Sequence, residues 1–387
     1  MKKYLFVFVL LPILCQAKDR IEVDGLYYFL NDDFTAEVTY EDDFHVQSTL
    51  KGDIVIPESI IVENVTYRVT EIGKYAFFRC YQIKSIEMPN SITYIGELAF
   101  GYNYYNLEKI KLSSALTKID ENAFEYCYNL KEIDLPESLT EIGDNAFLFC
   151  YSLEVINIPS SVCHIGTQCF GACINLTEIN VDSENQSYCS NDGVLFTKDK
   201  KELIAFPSGR SGEYEIPDGT ITIKEYSFRG GISPIQLKLP QSIETIEIGA
   251  FYKCLGLESI EISEGLNYID TEAFYGCTAL QTVSCHAIIP PECSPWAFTY
   301  SNFKECVLYV PQNSIDAYST TYPWSEFGTI KEIKGNDASI ESILDKVSEF
   351  KVYSINGILL LEHATKDDLN GLPKGCYIIN NKKVFIN

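Results

Sequence analysis

Cys163, His164, Cys169, Cys173 and Cys189 are of the residue types that hold zinc, because thiolate and imidazole are its preferred protein ligands. Asp32, Asp33, Glu41, Asp42 and Asp43 supply the hard oxygens that calcium takes, but no loop motif orders them, and a solvated acidic edge accounts for them better. Glycoside hydrolysis needs two carboxylates, but among 54 acidic residues none is set apart from a solvated face. The four histidines, His45, His164, His286 and His363, are isolated from one another. There is no nucleophile elbow, metalloprotease helix, phosphate loop or dinucleotide fingerprint. The chain therefore reads as a non-enzyme without cofactor or metal.

Whether the zinc-type residues can converge depends on the elements that carry them. Phe77, Phe100, Phe124, Phe147, Phe170, Phe228, Phe251, Phe274 and Phe298 recur every 23 or 24 residues apart from one 58-residue gap. A fixed period of this size is the signature of a solenoid, in which stacked coils bury one continuous core. The full pattern is clearest from Leu130 to Phe147. Leu130, Ile133 and Leu135 alternate inward, Pro136 ends the strand, Leu139 and Ile142 mark a second short strand, and Gly143 turns the corner into Ala146-Phe147. On this register Cys169 falls in a buried alanine column, whereas Cys163 and His164 lie on an exposed strand. Cys173 joins Cys80, Cys127, Cys150, Cys254 and Cys277 three residues after a column phenylalanine, a ladder interrupted by Asn103 and Gly231. The zinc-type side chains should point apart, and the ladder reads as reduced, small and semi-apolar. Cys285, Cys293 and Cys306, beyond the ladder, are the better place for one local disulfide.

The pattern resembles the BspA-like leucine-rich repeat family of bacterial surface proteins, in which Ala-Phe-x-x-Cys-x-x-Leu-x-x-Ile-x-Leu-Pro-x-Ser-Leu-x-x-Ile-Gly recurs. The resemblance covers about residues 68 to 310. It implies a repeat solenoid, leucine-rich-repeat-like, with short β-strands, turns and short helical corners, exported from the cell. It also implies a binding role, often adhesive, toward host or bacterial surface proteins.

Residues 182–213 fill the long gap. Asn191-Asp192-Gly193 is a tight-turn signal, and Val194 to Phe196 with Leu203 to Phe206 reads as a hairpin around Lys198 to Lys201, followed by a mobile Ser208 to Gly212 loop. Residues 18–67 read as an N-terminal β cap, 68–334 as the solenoid, and Val307 to Pro311, Tyr318 and Trp324 as the closure of its far end. Residues 338–387 read as a small C-terminal β domain. Its Val352-Tyr353 with Gly357, and its Leu372-Pro373 with Gly375, Tyr377 and Ile378, resemble a type IX secretion sorting domain.

Lys2, Lys3, the apolar run Tyr4 to Leu14 and Cys15-Gln16-Ala17 read as a signal peptide over residues 1–17. The run is too short to span a bilayer, and Leu14 before Cys15 argues against a lipoprotein. A formal charge of −24 repels nucleic acid and anionic lipid. The chain is thus expected at the cell surface or outside it, or in the periplasm, as a monomer whose partner is an extracellular protein or a glycan.

The remaining chemistry is aromatic. Tyr102, Tyr126 and Phe149 follow their column phenylalanines by two residues, and Tyr81, Tyr104, Tyr128 and Tyr151 by four. Stacking of the coils should gather them into two stripes on one edge of the N-terminal half, with nothing equivalent in the C-terminal coils. These rings either present a binding edge or cover the side of the core. A sugar-binding module and a plain structural spacer are the alternatives to a protein-binding scaffold.

Overall fold

The structure, a computed structural model, describes residues 20–41 and 48–333, and in the tail 350–354, 359–364, 368, 372, 375–379 and 382–386. The expected leader, Asp42, Asp43 and His45, and the turn at Gly335 to Asp337 lie outside these residues. Chain contacts divide the protein into two units, Met1–Glu332 and Ile333–Asn387.

In the first unit most coils contribute two short strands, the Leu130 to Leu135 segment making only an isolated bridge from Glu132 to Lys109. The Leu-x-x-Ile-x-Leu segments give Gln82–Glu87, Lys109–Lys111, Val155–Ile158 and Glu178–Val181, paired in parallel so that Ile86 lies beside Ile110 and Ile156 beside Ile179. The second strands, Tyr94–Ile95, Lys118–Ile119, Glu141–Ile142 and His164–Ile165, align Ile95, Ile119, Ile142 and Ile165 in one row. Side-chain alternation then puts every apolar position above its counterpart in the next coil. These strands stay short because a turn after the first and a glycine or acid after the second end them. At Gly143 a Cβ would lie 2.5 Å from the backbone nitrogen of Glu121, so the close coil-to-coil approach there requires glycine.

The corner around each phenylalanine from Phe77 to Phe170 and from Phe228 to Phe274 is a run of turns with left-handed residues on both sides. Leu98 and Tyr102 flank Phe100 at φ 53° and 63°, Asn122 and Tyr126 flank Phe124 at 57° and 61°, and Asn145 and Phe149 flank Phe147 at 56° and 62°. This geometry turns three N–H groups per corner toward the following coil. Asn122, Phe124 and Tyr126 donate to the carbonyls of Asp144, Ala146 and Leu148 at 2.8, 2.8 and 2.9 Å. The phenylalanine rings stack inside at centroid spacings of 5.1–5.8 Å from Phe77 to Phe170 and 4.6–5.0 Å from Phe228 to Phe298.

The cysteine ladder has a hydrogen-bonding reason. The thiols of Cys127, Cys150, Cys173 and Cys277 donate to the carbonyls of Phe100, Phe124, Phe147 and Phe251 in the preceding coil at 3.1–3.3 Å. Asn103 does the same by amide, donating to Phe77 O and Phe100 O at 2.8 and 2.7 Å. Cysteine is small and weakly polar enough to fill this dry position while serving a buried carbonyl. Burial pushes the Cys173 thiol up to about 12 and raises those of Cys127, Cys150 and Cys277 as well. The thiolate is the reactive form. A thiol reagent should therefore label the exposed Cys163 in the native protein, and the four ladder thiols only after denaturation. Rapid native labelling of Cys127 or Cys150 would overturn this assignment.

Cys285, Cys293 and Cys306 carry no disulfide; all three are free. Cys285 instead accepts a hydrogen bond from the Tyr318 hydroxyl at 3.1 Å. The far end of the core is covered by Trp324 and Phe327, whose rings lie 5.9 and 5.2 Å from Phe298. Trp324 Nε1 donates to Pro291 O at 3.0 Å, and Tyr318 OH to Ala287 O at 2.7 Å, so these large caps leave no polar atom stranded.

At the near end Ile21–Val23, Leu26–Leu30 and Thr35–Thr39 form an antiparallel meander that joins the array where Thr35–Thr39 runs parallel to Val65–Ile72. The first strand of the array proper, Lys51–Val55, pairs with Gln82–Glu87 and so lies inside the segment read as cap.

The long gap contains a further coil. Tyr188–Asn191 and Val194–Thr197 form a hairpin across Asp192-Gly193, and Val194–Thr197 turns back onto Glu202–Ala205. Glu202–Ala205 pairs in parallel with Thr222–Ile223 and leads into Phe206, which stacks on Phe228 at 4.6 Å. Phe206 is thus a column phenylalanine that the period missed. Buried Asn185 anchors the entry. Its amide donates to Pro159 O and Val162 O at 2.8 and 2.9 Å, and its oxygen accepts from the N–H groups of Ser187 and Tyr188 at 2.9 and 2.8 Å.

Ser208 to Gly212, expected to be a mobile loop, is pinned. Ser208 is buried and bonds Arg229 O at 3.1 Å, Gly209 N–H bonds Leu176 O at 2.9 Å, and Arg210 pairs with Asp192. Gly209 fits because any Cβ would meet the Asn175 backbone at 2.8 Å.

In the second unit the strands Phe350–Ser354, Leu359–Ala364, Gly375–Ile379 and Lys382–Ile386 form one antiparallel sheet.

Candidate functional site

The seven aromatic residues picked out by spacing come together on one edge. All are half-buried. The ring centres of Tyr102, Tyr126 and Phe149 lie 4.6 and 4.5 Å apart, and those of Tyr81, Tyr104, Tyr128 and Tyr151 6.0, 5.0 and 4.3 Å apart, stacked except for the tilted Tyr102–Tyr126 and Tyr104–Tyr128 pairs. Edge-to-face contacts of 5.7–6.1 Å within each coil knit the two stripes together. Tyr105, 65% exposed and 5.6 Å from Tyr104, extends the cluster outward.

The stripe two residues after the column is built on left-handed backbone. A left-handed conformation costs a side-chain-bearing residue about 1–2 kcal/mol, and the equivalent positions in two later coils are Gly230 and Gly276. Partial burial raises the Tyr102, Tyr104, Tyr126 and Tyr128 phenols above their ordinary range. It also raises the Glu125 carboxyl, against the opposing pull of Arg229. These hydroxyls stay protonated and can both donate and accept.

The band does not stop at the N-terminal half. The Arg229 guanidinium lies 5.6 Å from the Phe149 ring centre on one side and 5.1 Å from that of Tyr252 on the other. Tyr252 stacks on Tyr275 at 4.7 Å, and Tyr275 meets Tyr300 at 5.2 Å. The expectation that C-terminal coils lack such rings is therefore corrected. Their rings follow the column by one residue in two coils, a different offset on the same corner, and the sequence signal was Phe251-Tyr252 and Phe274-Tyr275. Arg79 closes the other end, 5.7 Å from Tyr102. Trp296 and Tyr300, 63% and 74% exposed, were also missed; they stand two residues before and after Phe298.

The zinc-type residues are separated by the coil. Cys163 is exposed with its thiol 3.5 Å from Thr140 O, Cys173 faces Phe147 O in the interior, and Cys169 is buried in the alanine column. Among the described residues no group of three or more His, Cys, Asp or Glu is placed to hold a metal ion. The acidic edge is used locally: Asp33 accepts from Thr35, and Glu41 from Ser48 and Thr49. Among the described residues no helix is long and apolar enough to cross a membrane.

A family profile described as the BspA type leucine rich repeat region matches in six copies over residues 58–191 and 205–322. The interval it skips falls on the inserted hairpin. Among solved structures, the pneumococcal vaccine antigen PcpA matches with a TM-score of 0.54 at 22% identity, covering 82% of this chain and 99% of that one. A leucine-rich repeat protein of Bacteroides ovatus gives 0.56 at 23% identity, over 81% of this chain and 76% of that one. One from Eubacterium ventriosum gives 0.55 at 23%, over 76% and 78%. At these identities the likeness is one of fold. No curated protein sequence matches the chain.

Proposed function

The chain belongs to the BspA-type leucine-rich repeat family, and from that footing we propose that it is an exported binding scaffold whose aromatic band engages an extracellular protein, in an adhesive role. One observation carries this reading: Tyr102, Tyr126 and Phe149 hold large rings, half-exposed, at left-handed positions where the Phe170 coil uses alanine and two later coils use glycine. Tyrosine edges and hydroxyls backed by Arg79 and Arg229 have the composition of a protein-binding surface.

A glycan-binding module is less favoured. Sugar rings stack on open aromatic faces, and here many faces are turned to one another, as in the parallel Tyr128–Tyr151 pair at 4.3 Å.

The test is binding of residues 18–387 to arrays of extracellular-matrix proteins and glycans, beside a Tyr102→Ser, Tyr126→Ser, Tyr128→Ser variant. The variant should stay folded and lose a protein partner by at least about tenfold, the scale of losing hot-spot residues. Glycan binding alone would replace the protein reading, and an unfolded variant would assign the rings to the core.

Export is the second part of the proposal, supported by the leader-like pattern at residues 1–17 and by the sorting-type residues of the tail. Deleting residues 338–387 should leave the melting of the repeat unit unchanged and abolish surface display in the native cell. Undiminished display would remove the sorting role from the tail.

A further inference from the structure

The corner ladder is interrupted between the coils of Phe170 and Phe228. In the preceding pair, Asn145 N–H donates to Thr167 O and Phe147 N–H to Cys169 O, each at 2.9 Å. Across the interruption Ala172 N–H still reaches Arg229 O at 2.9 Å, but the carbonyl of Ser227 is taken by Phe206 N–H at 2.8 Å. The N–H groups of Gln168 and Phe170 are left without a partner among the described residues. Both residues line a cleft of about 80 Å³, walled also by Ile165, Ile204 and Ala205 and by Lys224, Glu225 and Ser227.

Ser227 is the second observation. It is only 5% exposed, and its hydroxyl has no hydrogen-bond partner. A buried hydroxyl left unpaired is costly, and the same column holds alanine at 76, 99, 123, 146, 205, 250, 273 and 297. Its two departures from alanine, Cys169 and Ser227, stand on either side of the cleft. Glu225 completes the wall, its carboxylate accepting from Thr167 Oγ1 at 2.8 Å with lone pairs to spare.

An occupant must offer oxygen to two main-chain N–H groups and hydrogen to Glu225, while the Ser227 hydroxyl can give or take a hydrogen bond. A carboxylate carries only acceptors and would meet the Glu225 charge, the Lys224 ammonium on the same wall being held by Glu247 at 3.0 Å, whereas an ammonium carries only donors. A primary carboxamide carries both in one plane.

We propose that this interruption is a binding slot for a primary carboxamide, the side chain of an asparagine or glutamine on the protein that lies along the aromatic band. The partner's being a protein rests on the function proposed above; the chemistry of the slot does not. Arg229 couples the two, since its guanidinium bonds the Gln168 side chain while packing over Phe149.

Propionamide, propionate and propylammonium, titrated into the deuterated full chain and followed by amide NMR, test the slot directly. Propionamide should shift Gln168 and Phe170 saturably and leave Asn145 and Phe147 in place, with little response to the two ions. Ser227→Ala, which places the usual column residue there, should weaken propionamide binding about five- to tenfold. Equal response to propionate, no saturable shift, or hydrogen exchange at Gln168 and Phe170 as slow as at Asn145 and Phe147 would overturn the proposal. The triple tyrosine variant should keep the propionamide response, so failure of the band and failure of the slot are separate results.

Discussion

Phe147→Ala should lower stability by about 3–5 kcal/mol, the range for truncating a fully buried phenylalanine. The ring is wholly buried and stacked between Phe124 and Phe170 at 5.2 and 5.8 Å, so neighbouring coils held apart by their own backbone ladder cannot collapse into the void. The buried core divides at the insertion, with Phe77 to Phe170 in one cluster and Phe206 to Phe298 in the other. In a stacked array stability is a sum of coil and nearest-neighbour terms, so the loss should fall on the first cluster. Calorimetry should show an early transition for the N-terminal coils and a second near the native temperature. A melt unchanged within about 1 kcal/mol would mean that the column is not the core.

Asn185→Ala should be comparably costly, about 3–5 kcal/mol, because it strands three main-chain groups at once and weakens the bonding of a fourth. The Val162 carbonyl loses its donor and the N–H groups of Ser187 and Tyr188 their acceptor, while the Pro159 carbonyl keeps only the Val162 N–H at 3.3 Å. Asn185→Asp gives a sharper test. A carboxylate still serves the two N–H groups but turns its lone pairs on two carbonyls, so its folded pKa should rise above the unfolded value of about 3.9. The stability it retains is present below that value and is lost as pH rises through the folded pKa. Urea melts should therefore show Asn185→Asp losing stability between about pH 4 and pH 7 relative to the parent chain. A flat difference would mean that Asn185 is solvated.

Most of the array is legible in sequence because one repeat length is written many times over. Ile95, Ile119, Ile142 and Ile165 share a row because each precedes its corner by the same count. Phe206 escaped this reading although it lies 22 residues before Phe228, because the hairpin from Tyr188 lengthens its coil and hides it from the period. The aromatic stripes were legible at fixed offsets from the column. Tyr252 and Tyr275 were not, since a corner of alternating handedness lets adjacent offsets reach one edge. The cleft could not be read at all. It exists because Phe206 N–H captures the Ser227 carbonyl, a competition between two segments far apart in sequence, and its only trace in the chain is a serine and a cysteine in an alanine column.

The corner ladder also has a direction. From Tyr75 to Gly276 the bridging N–H groups at and beside the column phenylalanines donate to the coil that follows, whereas those around the second strand, such as Thr140 to Thr117 O and Gly143 to Ile119 O, donate to the coil before. Peptide dipoles of about 3.5 D each thus run up one side of a coil and down another, and largely cancel as they do in a sheet. Each coil is clasped from both neighbours, and the stack offers no strong electrical axis to a charged molecule.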